Sequence, residues 1–279
     1  MPVLVMLAVL LAAVLHASWN AIAHSITDRL IGFAIIGGAS TLCGVAIVLA
    51  APSPAQASWP FLGASAALHV AYNLLLMRGY RLGEFGQVYP LARGTSPWLV
   101  AIAATLFAGE SLPAVRAAGI AIVSLGLAAL VFAGGVPTRA SFPAISAALL
   151  TGVAIAAYTT LDGLGVRQAG TVAGYTGWLF VAEGPALPAA ALVARRSRLW
   201  RDVRPHLLAG VLGGLLSLGA YAIVLWAQTR GALAPIAALR ETSVIVGAVI
   251  GAVLFKERFG GWRIAATTLV AAGVIIMNV

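Results

Sequence analysis

Charge is scarce in this 279-residue chain: Asp, Glu, Lys and Arg together make up 9% of it, against roughly a quarter in an ordinary soluble domain. A chain so poor in charge does not cover a water-exposed surface, which excludes a soluble globular protein. The single cysteine, Cys43, rules out an internal disulfide and leaves no thiol pair for a metal. The Walker sequence of an ATP-driven pump is missing, as are CxxC or His-Cys clusters and the aspartate-rich pair of a prenyl diphosphate enzyme. GTSP at 94–97 is not the GxSxG elbow of a hydrolase. No cofactor, no bound metal and no enzymatic activity are expected.

The space left by charge is filled by apolar residues, 61% of the chain, with a mean hydropathy of +1.01. A helix that crosses the hydrocarbon of a bilayer needs ~20 apolar residues. Ten such stretches can be marked, near 3–24, 31–51, 59–80, 87–108, 113–134, 142–163, 171–193, 206–228, 233–255 and 262–278. The period-two alternation of a membrane β-barrel is absent, so the expected class is all-α, integral and multi-pass. The first stretch lacks the basic flank of a signal peptide and is long enough to span, so it is expected to stay as a helix.

The net charge of +9 does not point to nucleic acid, because the basic residues sit mainly between spans. The run RRSRLWRDVR at 195–204 reads as a cytoplasmic loop beside anionic headgroups. Basic residues gather after the odd-numbered spans (Arg29, Arg78, Arg81, Arg139, the 195–204 run, Lys256, Arg258, Arg263) and thin out after the even ones (Arg116, Arg167, Arg230). The positive-inside rule then places both termini outside.

Internal repetition is the strongest organising signal. LARGTSPWLVAIAATLFAGE (91–110) returns as ALRETSVIVGAVIGAVLFKE (238–257), with Arg93 over Arg240, Thr95 over Thr242, Ser96 over Ser243 and Glu110 over Glu257. Gly119 and Gly126 fall on Ala266 and Gly273, and LLAAVLHASWNAIA (10–23) falls on LLTGVAIAAYTTLD (149–162). The chain divides into two five-span repeats, 1–134 and 140–279, joined by a linker at 135–139. Five is odd, so the two copies enter the membrane from opposite sides, the inverted-repeat plan of secondary transporters with a midplane site.

Polar residues inside such spans must be partnered or face water. His16, Trp19 and Asn20 share one helical face, as do His69, Tyr72 and Asn73; each stripe reads either as hydrogen-bonding glue or as a pathway lining. The fourth span holds Pro90, Gly94 and Pro97, so a kink or break lining a cavity is expected there. Arg93 and Arg240 sit in the first turns of their expected helices, at the unfavourable end of the macrodipole. Either they snorkel to the interface, or an anion comes to them, a substrate group or a carboxylate.

Glu241, Glu183 and Asp162 are the carboxylates available. Desolvation disfavours a carboxylate's charge and an arginine neighbour favours it, so each is a candidate to exchange a proton, and each is equally a candidate for a static ion pair. Pro185 and Pro188 mark a further kink beyond Glu183. Tyr89, Tyr158, Tyr175, Trp178 and Tyr221 lie on the same spans and read as cavity lining or core, whereas Trp59, Trp200, Trp226 and Trp262, near span ends, read as interface anchors. Glu110 and Glu257 read as surface loop anchors or partners of nearby basic residues.

HASWNA, QVYPLARGTSP with LFAGE, YTTLDGLGVR and ALRETS with LFKE together resemble the EamA family of the drug/metabolite transporter superfamily over nearly the whole chain. The resemblance implies a secondary transporter or exporter of amino acids, other metabolites or toxic compounds in the inner membrane, without a bound cofactor. It implies a cavity between spans 1, 3, 4 and 6, 8, 9, and usually both termini inside, against the loop bias. HAxWN and YPLARGTSP are also similar to EamA-like permeases grouped with phosphonate use. The first span has no glutamate, unlike the small multidrug resistance relatives, so a cationic drug is disfavoured.

The expected site is therefore Arg93 and Arg240 for an anionic or zwitterionic solute, with His16, Trp19, Asn20, Tyr72, Asn73, Tyr89, Thr95, Ser96, Tyr158, Trp178 and Tyr221 around it. Glu183, Asp162 and Glu241 are the proton-coupling candidates. The chain is expected as a monomer or homodimer. The alternative is a non-transporting membrane scaffold or partner subunit, in which the buried arginines serve folding alone.

Overall fold

The computed structural model describes residues 1–82, 85–129, 139–254 and 261–278. All regular structure in them is helical: α1 (Val3–Ser25), α2 (Arg29–Ala50), α3 (Trp59–Leu82), α4 (Phe85–Phe107), α5 (Ala114–Ala129), α6 (Phe142–Gln168), α7 (Val172–Glu183), α8 (Ala186–Arg195), α9 (Leu199–Val203), α10 (Leu207–Gln228), α11 (Leu233–Arg240), α12 (Ser243–Leu254) and α13 (Gly261–Asn278). Local chemistry fixes several ends. Asp28 caps α2 by accepting from the Ile31 amide, Thr171 caps α7 by accepting from the Gly174 amide, and Gly109 and Gly170 turn the chain left-handed after α4 and α6.

The surface is inverted relative to a soluble protein. Leu49, Leu106 and Leu208 are largely exposed, while Asn20, His69, Arg93, Asp162, Gln228, Arg240 and Glu241 are buried. That distribution suits a lipid surround, where apolar side chains face outward and polar groups turn inward. Among the described residues, five stretches are long and apolar enough to cross a bilayer: Val3–Ser25, Arg29–Ala50, Gln56–Leu82, Arg139–Gln168 and Val172–Gln228.

Ten uninterrupted helices are not what the described residues display. The expected span at 171–193 is divided at Gly184 and Pro185, and the one at 233–255 at Glu241 and Thr242. Of the kink or break expected in the fourth span, the break does not occur, since α4 runs on through Pro90 and Pro97. Pro97 has no amide to offer the Arg93 carbonyl, and the Ser96 hydroxyl donates to that carbonyl at 3.2 Å instead. The 135–138 part of the linker, Lys256, Glu257 and Arg258 lie outside the described residues.

Packing interleaves the two ends of the chain. α1 lies against α10, α11 and α12; α3 against α6 and α7; α4 against α5, α6 and α11; α2 against α7, α8 and α10; and α5 against α13. Two of these contacts are glycine crossings. On α2 and α7, a Cβ added at Gly37 would sit 2.9 Å from the Gly184 carbonyl oxygen and one at Gly44 would sit 3.0 Å from that of Gly177. On α5 and α13, a Cβ at Gly119 would meet the Gly273 oxygen at 2.8 Å and one at Gly126 the Ala266 oxygen at 3.0 Å. In each pair the residue number rises on one helix as it falls on the other, so both pairs pack antiparallel. Close backbone approach of this kind is how small residues join helices where no hydrophobic effect does so.

Gly119→Ala is expected to destabilise the fold by about 1–3 kcal/mol, because its new methyl also meets the Met277 amide at 2.7 Å and neither helix can yield locally. Gly63→Ala on α3, whose Cβ would have nothing within 4 Å, is expected to stabilise by about 0.4–1 kcal/mol. Unfolding of both variants in detergent micelles checks the opposite signs.

Candidate functional site

Where α1, α4 and the α11–α12 break meet, two cations close on one anion. Arg93, 1% exposed, and Arg240, 2% exposed, flank Glu241, 0% exposed. Arg93 Nη1 donates to Glu241 Oε1 at 3.3 Å and Oε2 at 3.4 Å, and Arg240 Nη2 lies 3.5 Å from Oε1. Ser96 Oγ lies 3.5 Å from the same oxygen, Arg240 Nη2 donates to Thr159 Oγ1 at 3.4 Å, and the Arg93 guanidinium stands 5.3 Å from the Tyr89 ring centre. Arg240 Nε has no hydrogen-bond partner among the described residues.

The break explains why these charges are tolerable. Arg240 is the last residue of α11, not an early residue of a long helix, so it meets the negative end of a macrodipole. Glu241 comes just before α12 and meets a positive end. Arg93, nine residues into α4, is beyond the first turn. The expected dipole penalty on both arginines is therefore corrected, and so is snorkelling, since neither head group reaches the surface.

His16 joins the cluster from α1. Its Nδ1 accepts from the Trp19 indole N–H at 3.2 Å, and its Nε2 faces Arg93 Nη2. A neutral imidazole accepts at one nitrogen only, so the indole and the guanidinium compete for it. Asn20, expected beside them, donates to the His16 carbonyl at 2.8 Å and braces its own helix. Thr95 does the same for α4, donating to the Leu91 carbonyl at 2.8 Å.

A second polar cluster lies on α3, α6, α7 and α10. Asp162, fully buried, accepts from the Tyr175 hydroxyl at 3.0 Å and from the Tyr221 hydroxyl. Glu183 Oε2 is 3.9 Å from His69 Nδ1, whose ring stacks on Tyr158 at 3.9 Å and meets Tyr221 edge-on at 5.2 Å. Ser65 pairs with the same His69 nitrogen at 3.2 Å, and Tyr72 meets Tyr158 edge-on at 5.5 Å. No guanidinium pairs with Asp162 or Glu183 among the described residues.

A cavity of about 60 Å³ borders the second cluster toward α2, its wall including Trp19, Asn73, Glu183 and Ser217. A water needs ~10–15 Å³ by such a measure, so this space takes a few waters and no metabolite. Trp19 forms part of the cavity wall and donates to His16.

Residues 142–279 match the model of the EamA-like transporter family. This chain belongs to that family. EamA proteins are transporters, not enzymes, and the apolar helices make this one a multi-pass membrane protein. No curated protein matches the sequence. A crystal structure of a protein 20% identical superposes with a TM-score of 0.77 over 97% of this chain and 96% of that one, a likeness of fold.

The EamA chain thus brings Arg93, Arg240, Glu241, His16, Trp19, Tyr89 and Ser96 together, and gathers Asp162, Glu183, Tyr72, Tyr158 and Tyr221 next to them. Trp178 is not among them: it packs edge-on against Trp59 at 5.1 Å. Glu110 does partner a basic residue, Arg167 at 2.9 Å, and also accepts from the Leu233 amide at the start of α11. Thr159 was not singled out by sequence, although it lies under Asn20 in the repeat alignment and next to Tyr158.

Proposed function

We propose that this protein is a secondary transporter, an exporter or permease, that moves a small organic metabolite carrying an anionic group, amino-acid-like or otherwise zwitterionic, by alternating access. One observation carries the reading: two buried guanidiniums share a single carboxylate. The Arg93, Arg240 and Glu241 cluster keeps a net positive charge inside the hydrocarbon, a costly state that an incoming anion relieves. The unpartnered Arg240 Nε and the donor that His16 cannot serve are ready for its oxygens.

The glycine crossings support two inverted repeats with ten membrane crossings, two of them broken. Repeat alignment sets Gly37 over Gly177, Gly44 over Gly184, Gly119 over Ala266 and Gly126 over Gly273. The contacts join Gly37 to Gly184, Gly44 to Gly177, Gly119 to Gly273 and Gly126 to Ala266. Each residue touches the repeat image of the other crossing residue on its own helix, the reciprocity that a two-fold axis produces. Such an axis in the membrane plane lets one half rock against the other around the arginines. The setting proposed is the inner membrane.

Removing one arginine tests the assignment. Arg93→Gln and Arg240→Gln each leave Glu241 paired with the remaining guanidinium and bring the cluster to neutrality, so both variants are expected to fold. In proteoliposomes screened with labelled amino acids and small carboxylates, the flux found for wild type is expected to fall at least about tenfold in each variant, as lost charge-assisted bonds of roughly 1.5–3 kcal/mol imply. Folded variants with unchanged flux would support a scaffold or partner subunit instead.

A further inference from the structure

On the side of α2 facing away from the arginines, an apolar groove of about 450 Å³ runs between α2 and the α8–α10 segment. Ala34, Gly38 and Leu42 form one wall, Pro188, Leu199 and Val203 part of the other. The polar side chain in it, Thr41, donates its hydroxyl to the Gly37 carbonyl at 2.8 Å, so the wall offers a polar solute nothing to bond. From Ala34 to Leu42 the groove follows α2 for ~12 Å at 1.5 Å per residue, close to half of a ~30 Å hydrocarbon core. It has the depth of one leaflet.

Its mouth is strongly basic. The short α9 turns Leu199 and Val203 into the groove, while Arg196, Arg198, Arg201 and Arg204 around it are exposed. Arg195 pairs with Asp28 and so ties this loop to the start of α2. Asp202, 3.8 Å from Arg201 and 4.0 Å from Arg195, is the acid within the run. Trp200, 65% exposed, stands beside them as an interfacial aromatic would. An apolar slot of leaflet depth under a ring of exposed guanidiniums matches one chemistry, an acyl chain ending in a phosphate.

We propose that this groove binds an anionic phospholipid, one acyl chain lying along α2 and the headgroup phosphate held by Arg196, Arg198, Arg201 and Arg204. The site is independent of the transported solute. Because Pro185 and Pro188 belong to its wall, the bound chain packs directly beyond the α7–α8 break and braces α8 there.

Native mass spectrometry of the full chain, extracted from vesicles of equal phosphatidylglycerol and phosphatidylcholine, tests this. Retained lipid is expected to be phosphatidylglycerol by at least about tenfold, since four basic residues at a membrane surface each favour anionic lipid. Changing all four loop arginines to Gln is expected to erase the preference while leaving a lipid bound. Gly38→Leu fills the slot and is expected to lower retention of both lipids at least about fivefold. Gly38→Ala, whose Cβ meets Pro188 at an ordinary 3.7 Å, serves as the folded control and keeps wild-type retention. Equal retention of the two lipids by wild type, or unchanged retention in Gly38→Leu, overturns the site.

Discussion

Glu241→Gln is expected to cost about 3–5 kcal/mol of stability, the scale for removing one partner of a buried ion pair. The substitution keeps shape and volume, so the loss is electrostatic: Arg93 and Arg240 are left as two cations with no carboxylate between them, both almost wholly buried. Arg93→Gln, by contrast, reduces the cluster from one excess positive charge to none and is expected to cost far less. The double variant Arg93→Gln/Glu241→Gln removes one stranded cation, leaves Arg240 its bond to Thr159, and is expected to be more stable than Glu241→Gln alone. Chemical unfolding in mixed micelles reads all three. If Glu241→Gln stays within about 1 kcal/mol of wild type, the carboxylate is not what holds the two arginines, and the net charge assigned to the cluster is wrong.

The same cluster shows where sequence reading stopped. The duplicate ALRETS placed Arg240 opposite Arg93 in an alignment, and that register reappears in space as two guanidiniums on one acid. Which acid it was could not be read, because Glu241 and Arg93 are brought together by packing between α4 and α11, far apart in the chain. The helix break was misplaced for a local reason. Proline marks a missing donor, so α4 with Pro90 and Pro97 looked interrupted, but Ser96 provides a hydroxyl for the carbonyl that Pro97 abandons. ALRETS holds neither glycine nor proline, and the chain opens there all the same, placing Arg240 and Glu241 at helix ends that favour their charges. The division at Gly184 and Pro185 was legible, since there the breaker and the break coincide. Trp178 misled because its depth in the span says nothing about the side it faces; its neighbour is Trp59.

Glu183→Gln is expected to uncouple transport from a pH gradient while sparing exchange. Of the three candidate carboxylates, Glu241 is clamped by two guanidiniums and Asp162 is sealed under the Tyr175 and Tyr221 hydroxyls. Among the described residues Glu183 has one charge-bearing partner, His69 at 3.9 Å, and it borders a cavity with room for water that can hand it a proton. It also ends α7 at the break where Gly184 crosses Gly37, so a charge change at Glu183 is expected to be felt where α7 and α8 meet α2. On the same cavity wall stands Trp19, which donates to His16, whose Nε2 faces Arg93. One proton moving down a gradient of one pH unit supplies about 1.4 kcal/mol, enough to concentrate a co-transported or exchanged solute about tenfold. In proteoliposomes with that gradient, wild type is expected to reach an accumulation ratio near that limit. Glu183→Gln is expected to reach about one, with solute counterflow within about twofold of wild type. Asp162→Asn, which keeps a carbonyl acceptor for the tyrosines, is expected to retain accumulation. If Glu183→Gln still accumulates solute while Asp162→Asn does not, coupling belongs to the tyrosine-capped carboxylate; if both accumulate like wild type, the α3–α6–α7–α10 cluster does not carry the proton.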